Sequence, residues 1–178
     1  MHNLGHTRSA SQRDHILQTP DIFVRIPLPG LANAAAIVHI GPPAGAEFTL
    51  YTVEFEPNGS LQSNDLQHFV YVLEGEVTMQ GDGRAEALVA GSYAYLPALL
   101  AHHLSALKTA RVVVIERDAK VLSDASAPGL LISHEDAVSP VPLLGDPDIQ
   151  VRTLPGDANF NFAVNTMTYQ PGATLPMV

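Results

Sequence analysis

The sequence predicts an all-β fold, a sandwich or closed barrel, on three observations. Short β-rich runs recur at even spacing, Pro, Gly, Asn and Asp separate them, and no long segment carries a 3.6-residue apolar period. In chain order the expected strands are 22–26, 36–40, 47–55, 68–73, 76–80, 85–89, 92–96 and 111–117, then 149–154 and 160–170. In the third, Tyr51, Val53 and Phe55 share one face while Thr52 and Glu54 take the other, the period of a half-buried strand. Gln80-Gly81-Asp82-Gly83 reads as a hairpin turn in which glycine supplies positive φ. Residues 118–148 are richer in Pro, Ser, Asp and Gly and read as a connector.

Composition narrows the function. With 46% hydrophobic and 15% charged residues, the 178-residue chain can bury a real core. Without Trp, and with 6% aromatic residues, it offers little for a large aromatic binding platform. A net charge of −9 and the lack of any Lys/Arg run disfavour nucleic acid and anionic membrane as partners. The absence of cysteine excludes disulfides and thiolate metal sites. The polar start, residues 1–15, lacks the apolar core of a signal peptide, and no apolar run is long enough to span a bilayer; a cytoplasmic protein is expected.

One internal repeat stands out. Phe48–Pro57 aligns without gaps on Phe162–Pro171, each residue 114 positions from its match. Phe48/Phe162, Thr52/Thr166 and Pro57/Pro171 are identical, and Leu50/Val164, Val53/Met167 and Phe55/Tyr169 are similar. The expected organisation is therefore an N-terminal arm (1–35), a first barrel (36–117), a linker (118–148) and the first strands of a second barrel (149–178). An unfinished barrel with open strand edges implies a homo-oligomer.

Two stretches carry candidate chemistry. Gly91, Pro97 and His102 have the spacing of the second cupin motif, G-x5-P-x-G-x2-H-x3-N, with Leu99 and Ala106 in place of its second glycine and its asparagine. Tyr71-Val-Leu-Glu-Gly75 resembles the end of the first motif, G-x5-H-x-H-x3,4-E-x6-G. Counting back from Gly75 puts His68 in the glutamate slot and Gln62 and Asn64 in the two histidine slots, so Gln62, Asn64, His68 and His102 are expected near the lumen. Neutral amides compete poorly with water for a transition metal, so no metal is expected in this barrel. His103 is expected to point away from His102. Asp65, Glu74, Glu76, Glu86 and Glu116 read as a solvated strand face, and the other histidines lack ligand spacing.

The chain thus resembles a cupin, a double-stranded β-helix or jelly-roll-like barrel, and more closely a bicupin with an incomplete second barrel. It is similar to the (S)-ureidoglycine aminohydrolase family of purine and allantoin catabolism through 5–9, 19–25, 69–75 and 166–173. That resemblance implies a first barrel without metal. It also implies a second barrel that holds manganese on a Glu-x-His-x3-His cluster plus a Gln, starting just after the segment like 171–178. The sequence stops there, so no residue inherits a metal or catalytic role, and the catalytic residues stay unassigned. The implied reaction hydrolyses a C–N bond of ureidoglycine, a small polar substrate, giving ureidoglycolate and ammonia. The alternatives are a non-enzymatic cupin that binds a small polar ligand beside His68 and His102, or another cupin enzyme such as a dioxygenase or isomerase.

Overall fold

A computed structural model describes residues 8–12, 15–119, 128–155, 160 and 163–175. Apart from a ribbon of β1 (Ala10–Ser11) and β2 (Ile16–Leu17), the strands of the first half are β3 (Leu31–Ile40), β4 (Thr49–Gln62), β5 (Gln67–Glu74), β6 (Glu76–Gly81), β7 (Arg84–Val89), β8 (Ser92–Leu96), β9 (His102–Ala106) and β10 (Ala110–Arg117). After them come β11 (Leu131–His134), β12 (Val141–Leu143), β13 (Asp146–Leu154) and β14 (Val164–Tyr169). One sheet runs β11-β8-β5-β10-β4-β9-β6-β7, with β3 also on β4, and a second runs β12-β13-β14. All of these ladders are antiparallel.

β4 closes the barrel because it serves both walls. Its first half pairs with β10, and its last residues, Gly59–Gln62, pair with β9. Between them the strand bends at exposed Glu56, Pro57 and Asn58, and β3 shifts register to follow, with Asn33 and Asn58 both at positive φ. Gly59 is needed at this corner: a Cβ there would lie 2.5 Å from the Asn33 carbonyl oxygen. Alternation then fills the interior with Tyr51, Val53 and Phe55 from β4, Val70 and Val72 from β5, and Val112 and Val114 from β10.

The repeat seen in the sequence is also one of pairing. Ala36 of β3 lies opposite Val53 of β4, and Val151 of β13 lies opposite Met167 of β14. The bridge between Ile26 and Ala36 returns as the pair Val141 and Val151, and Gly30 at φ 84 returns as Gly145 at φ 86. Residues 26, 30 and 36 each lie 115 positions before their counterparts 141, 145 and 151. The sequence follows: Ile26-Pro-Leu-Pro-Gly30 against Val141-Pro-Leu-Leu-Gly145. Phe162, at the start of the repeat, lies outside the described residues, as do Gly5, His6 and Thr7.

The second sheet packs on the outside of the first. Phe69 and Tyr93, whose rings stack at 5.8 Å, meet Leu154 of β13 in a buried cluster that Ile115 and Val164 extend. Arg152 donates from Nε to the Val138 carbonyl at 3.1 Å.

Several segments depart from expectation, among them β9 and β12, strands that the sequence reading did not include. Residues 22–26 form no strand: Pro20–Ile22 is a 3-10 turn, and only Ile26 bridges to β3 before Pro27, which has no N–H to extend a ladder. Within the stretch read as a connector, Leu131–His134 forms β11 and pairs with β8. Phe160 lies before β14 rather than in it, since the strand starts at Val164. No helix among the described residues is long and apolar enough to cross a membrane.

The hairpin at 80–83 forms with Gly81 opposite Arg84 and with Asp82 (φ 53) and Gly83 (φ 69) both in the left-handed region. A Cβ on Gly83 would meet nothing within 4 Å. Gly83→Ala is therefore expected to cost about 1 kcal/mol from backbone strain alone, read as a lower urea midpoint.

Candidate functional site

Period-two alternation carries a polar cluster to one end of the lumen. In β10 the inward series Val112, Val114 continues to Glu116, and in β5 it runs from Val72 through Val70 to His68. The register sets Glu116 directly opposite His68 and Val114 opposite Tyr51. From the other wall, β9 places His102, Leu104 and Ala106 inward. His68 is fully buried and His102 nearly so.

The hydrogen bonds fix the ring tautomers. His102 Nδ1 lies 2.7 Å from the Leu100 carbonyl oxygen and must donate to it. Its Nε2 then accepts from His68 Nδ1 at 2.9 Å, with the rings edge to face. Among the described residues His68 Nε2 has no hydrogen-bond partner, and it faces Glu116 Oε2 at 3.6 Å, an ion pair when the ring is protonated. The Tyr51 hydroxyl donates to the same oxygen at 3.2 Å. Asn64 Nδ2 donates to it at 3.3 Å, with its amide held by Leu66 N–H donating to Oδ1. Another bond secures the loop: the His102 N–H donates to Ser63 Oγ at 3.1 Å.

The electrostatics follow from burial and these partners. Burial lowers the His102 pKa to about 4, the neighbouring His68 pushing the same way and the Leu100 carbonyl opposing, so His102 is a neutral acceptor at neutral pH. Burial raises the Glu116 pKa, but His68, Tyr51 and Asn64 together outweigh it and hold the carboxyl below its ordinary range. Burial, with Glu116 beside it, keeps the Tyr51 phenol protonated.

Of the four residues expected at the lumen, only His68 and His102 are buried there; Asn64 is exposed on the 63–66 loop and joins the cluster only through its bond to Glu116. Gln62 is exposed at the end of β4, where the inward position belongs to Leu61. His103, next to buried His102, is only partly buried, as alternation requires. Glu116 and Tyr51 are the members that motif counting missed. Glu116 was expected on a solvated face, and the signal that places it inward is the series Val112, Val114, Glu116.

The cluster spends several of its lone pairs internally, while that of His68 Nε2 stays unused among the described residues. His102 Nε2 accepts a hydrogen bond from His68 Nδ1, and Glu116 Oε2 accepts from two donors. Among the described residues no three His, Cys, Asp or Glu side chains are placed to hold a metal ion. The arrangement joins β4, β5, β9, β10 and the 63–66 loop into one hydrogen-bonded unit.

Residues 51–116, bounded by the two residues missed from the sequence, match the cupin domain family. Across 174 residues, 96% of this chain, the sequence is 32% identical to (S)-ureidoglycine aminohydrolase of Arabidopsis thaliana and covers 58% of that protein. It is 27% identical over 164 residues to (S)-ureidoglycine aminohydrolase of Escherichia coli K12, 89% of this chain and 63% of that one. The chain thus spans about three fifths of the length of these relatives. In fold it resembles a glyoxylate-induced protein from Pseudomonas aeruginosa, with a TM-score of 0.72 and 22% identity over 84% of this chain and 60% of that structure.

Proposed function

Since the chain belongs to the (S)-ureidoglycine aminohydrolase family of cupins, we propose that it forms the N-terminal part of a two-barrel enzyme. That enzyme is cytoplasmic and hydrolyses a C–N bond of (S)-ureidoglycine, releasing ammonia and leaving ureidoglycolate, within allantoin and purine catabolism. The observation that carries this reading is likeness along nearly the whole chain to a plant and a bacterial protein of that name. The repeated pairing supports it, since β12, β13 and β14 start a second unit as Ile26, β3 and β4 start the first. A net charge of −9 suits a small polar ureido substrate better than nucleic acid or lipid.

Manganese is the metal that the resemblance implies, and the residues of the first barrel do not fit it. His68 Nδ1 and His102 Nε2 are bonded to each other, Gln62 is exposed, and Asn64 offers a neutral amide whose oxygen is already taken. No step of the reaction is therefore assigned to manganese on this chain. The first barrel contributes support: Phe69, Tyr93 and Ile115 hold Leu154 and Val164 of the second sheet. A second reading, a binding module for a small polar ligand, draws on the unpartnered His68 Nε2.

Ammonia release from freshly made ureidoglycine, with and without added manganese, tests the proposal. The 178-residue chain is expected to give none above background, and a version continued to the full length of the relatives is expected to be active with manganese. Manganese-dependent turnover by the 178-residue chain alone places the active site in the first barrel and ends this reading.

A further inference from the structure

The repeat begins earlier in the chain than its paired strands. Pro20–Ile22 and Glu135–Ala137 are both 3-10 turns, each entered from an extended residue. The Phe23 N–H donates to the Pro20 carbonyl, and the Val138 N–H donates to that of Glu135. Each of these positions lies 115 before its match, Asp21 and Asp136 are identical, and Ile16-Leu17 stands against Leu131-Ile132. β2 is therefore the counterpart of β11. The packing repeats as well. The Phe23 ring meets His39 edge to face at 5.4 Å, and Val138 packs in one cluster with Leu154, 115 positions after His39. The two leading segments thus leave their units along the same path.

β11 does not stay with the unit it leads. It pairs with β8 of the first barrel, Leu131 opposite Tyr95 and Ile132 opposite Ala94, and so covers the edge of β8 that β5 leaves open. β2 bonds on one side to β1, and among the described residues its other side bonds to no strand. The two units also approach as a twofold pair would. Val164 and Ile115 pack in the cluster of Phe69 and Tyr93, and Ile115 lies opposite Leu50, the residue that Val164 matches in the first unit. Matched positions meet in this way near a twofold axis, and contacts across such an axis are reciprocal.

We propose that the two units exchange their leading strands: as β11 adds to β8 of the first barrel, β2 adds antiparallel to the second barrel's counterpart of β8. The inference rests on the two-barrel reading given above, and it gives the N-terminal arm a role, a clasp that bonds residues 16–19 to the second barrel. Ile16 and Leu17, 38% and 53% exposed, take the places of Leu131 and Ile132 and are covered there. β1 keeps the other side of β2.

Hydrogen exchange of residues 15–19 reads the clasp, in the 178-residue chain and in a version continued to the full length of the relatives. Exchange is expected to slow at least roughly tenfold in the continued version, at every protein concentration, while residues 131–134 stay protected in both. Leu17→Asp is expected to lower the melting midpoint of the continued version and to leave that of the 178-residue chain unchanged, whereas Ile132→Asp lowers both. An arm that exchanges equally fast in both lengths, protection that appears only at high concentration, or an equal effect of Leu17→Asp in the two lengths overturns the proposal. Manganese-dependent ammonia release is measured on the same continued protein. Turnover with an unprotected arm overturns this inference alone, and a protected arm without turnover supports it while ending the proposed reaction.

Discussion

His68→Ala is expected to destabilise the first barrel by about 3 kcal/mol, read from urea unfolding followed by circular dichroism. Two losses add. The fully buried ring leaves a cavity at the end of the core, and His102 Nε2 loses the donor that satisfies it. Glu116 keeps Tyr51 and Asn64 but loses the imidazole facing it at 3.6 Å. The pair is therefore coupled: Glu116→Gln is expected to cost less in the His68→Ala background than alone, by about 1 kcal/mol in a double-mutant cycle. Gln62→Ala, at an exposed position of the same motif, is expected to stay within about 0.5 kcal/mol. If His68→Ala and Gln62→Ala were equally mild, the buried cluster would not be holding the walls together.

The contrast between these two positions shows which information the sequence carried. Strands with clean alternation were legible, because a period of two is a local property: Tyr51, Val53 and Phe55 are all buried on one face. The β6–β7 hairpin was legible because only a narrow set of residues accepts positive φ at both turn positions. The repeat was legible because matched side chains preserve matched register. Gln62 was misread from motif counting, and Glu116 from its charge, because neither reading used alternation to choose the side of the strand. Motif counting fixes a residue's place in a pattern but not its side of the strand. Alternation places Leu61 inside and Gln62 outside, and the same rule carries Glu116 inward behind Val112 and Val114. Residues 131–134 could not be read locally either. β11 is half-buried throughout and owes its strand conformation to β8, a partner more than thirty residues away.

Lowering the pH from 7.5 towards 4 is expected to destabilise the barrel before its surface carboxylates titrate, and the sign comes from His102. Its pKa falls from 6.5 in the unfolded chain to about 4 in the folded one. Between those values the unfolded chain binds a proton that the folded chain refuses, so stability declines as pH drops below about 6.5 and levels off near 4. The shift corresponds to roughly 2 kcal/mol once partial solvent screening is allowed for. Glu116 acts in the same direction at still lower pH: its carboxyl is depressed, so its contribution disappears as pH falls through its folded pKa. His39, whose pKa burial also lowers, adds to the slope from outside the lumen, where its Nε2 lies 2.8 Å from Thr52 Oγ1. Urea midpoints at pH 7.5, 6.5, 5.5 and 4.5 trace the decline. His102→Gln removes the titrating ring while leaving an amide to accept from His68. It is expected to flatten most of the slope between pH 6.5 and 4.5, and His39→Gln only the remainder. A slope unchanged in His102→Gln would mean that the buried His102 ring does not sense protons, and that acid sensitivity arises elsewhere on the chain.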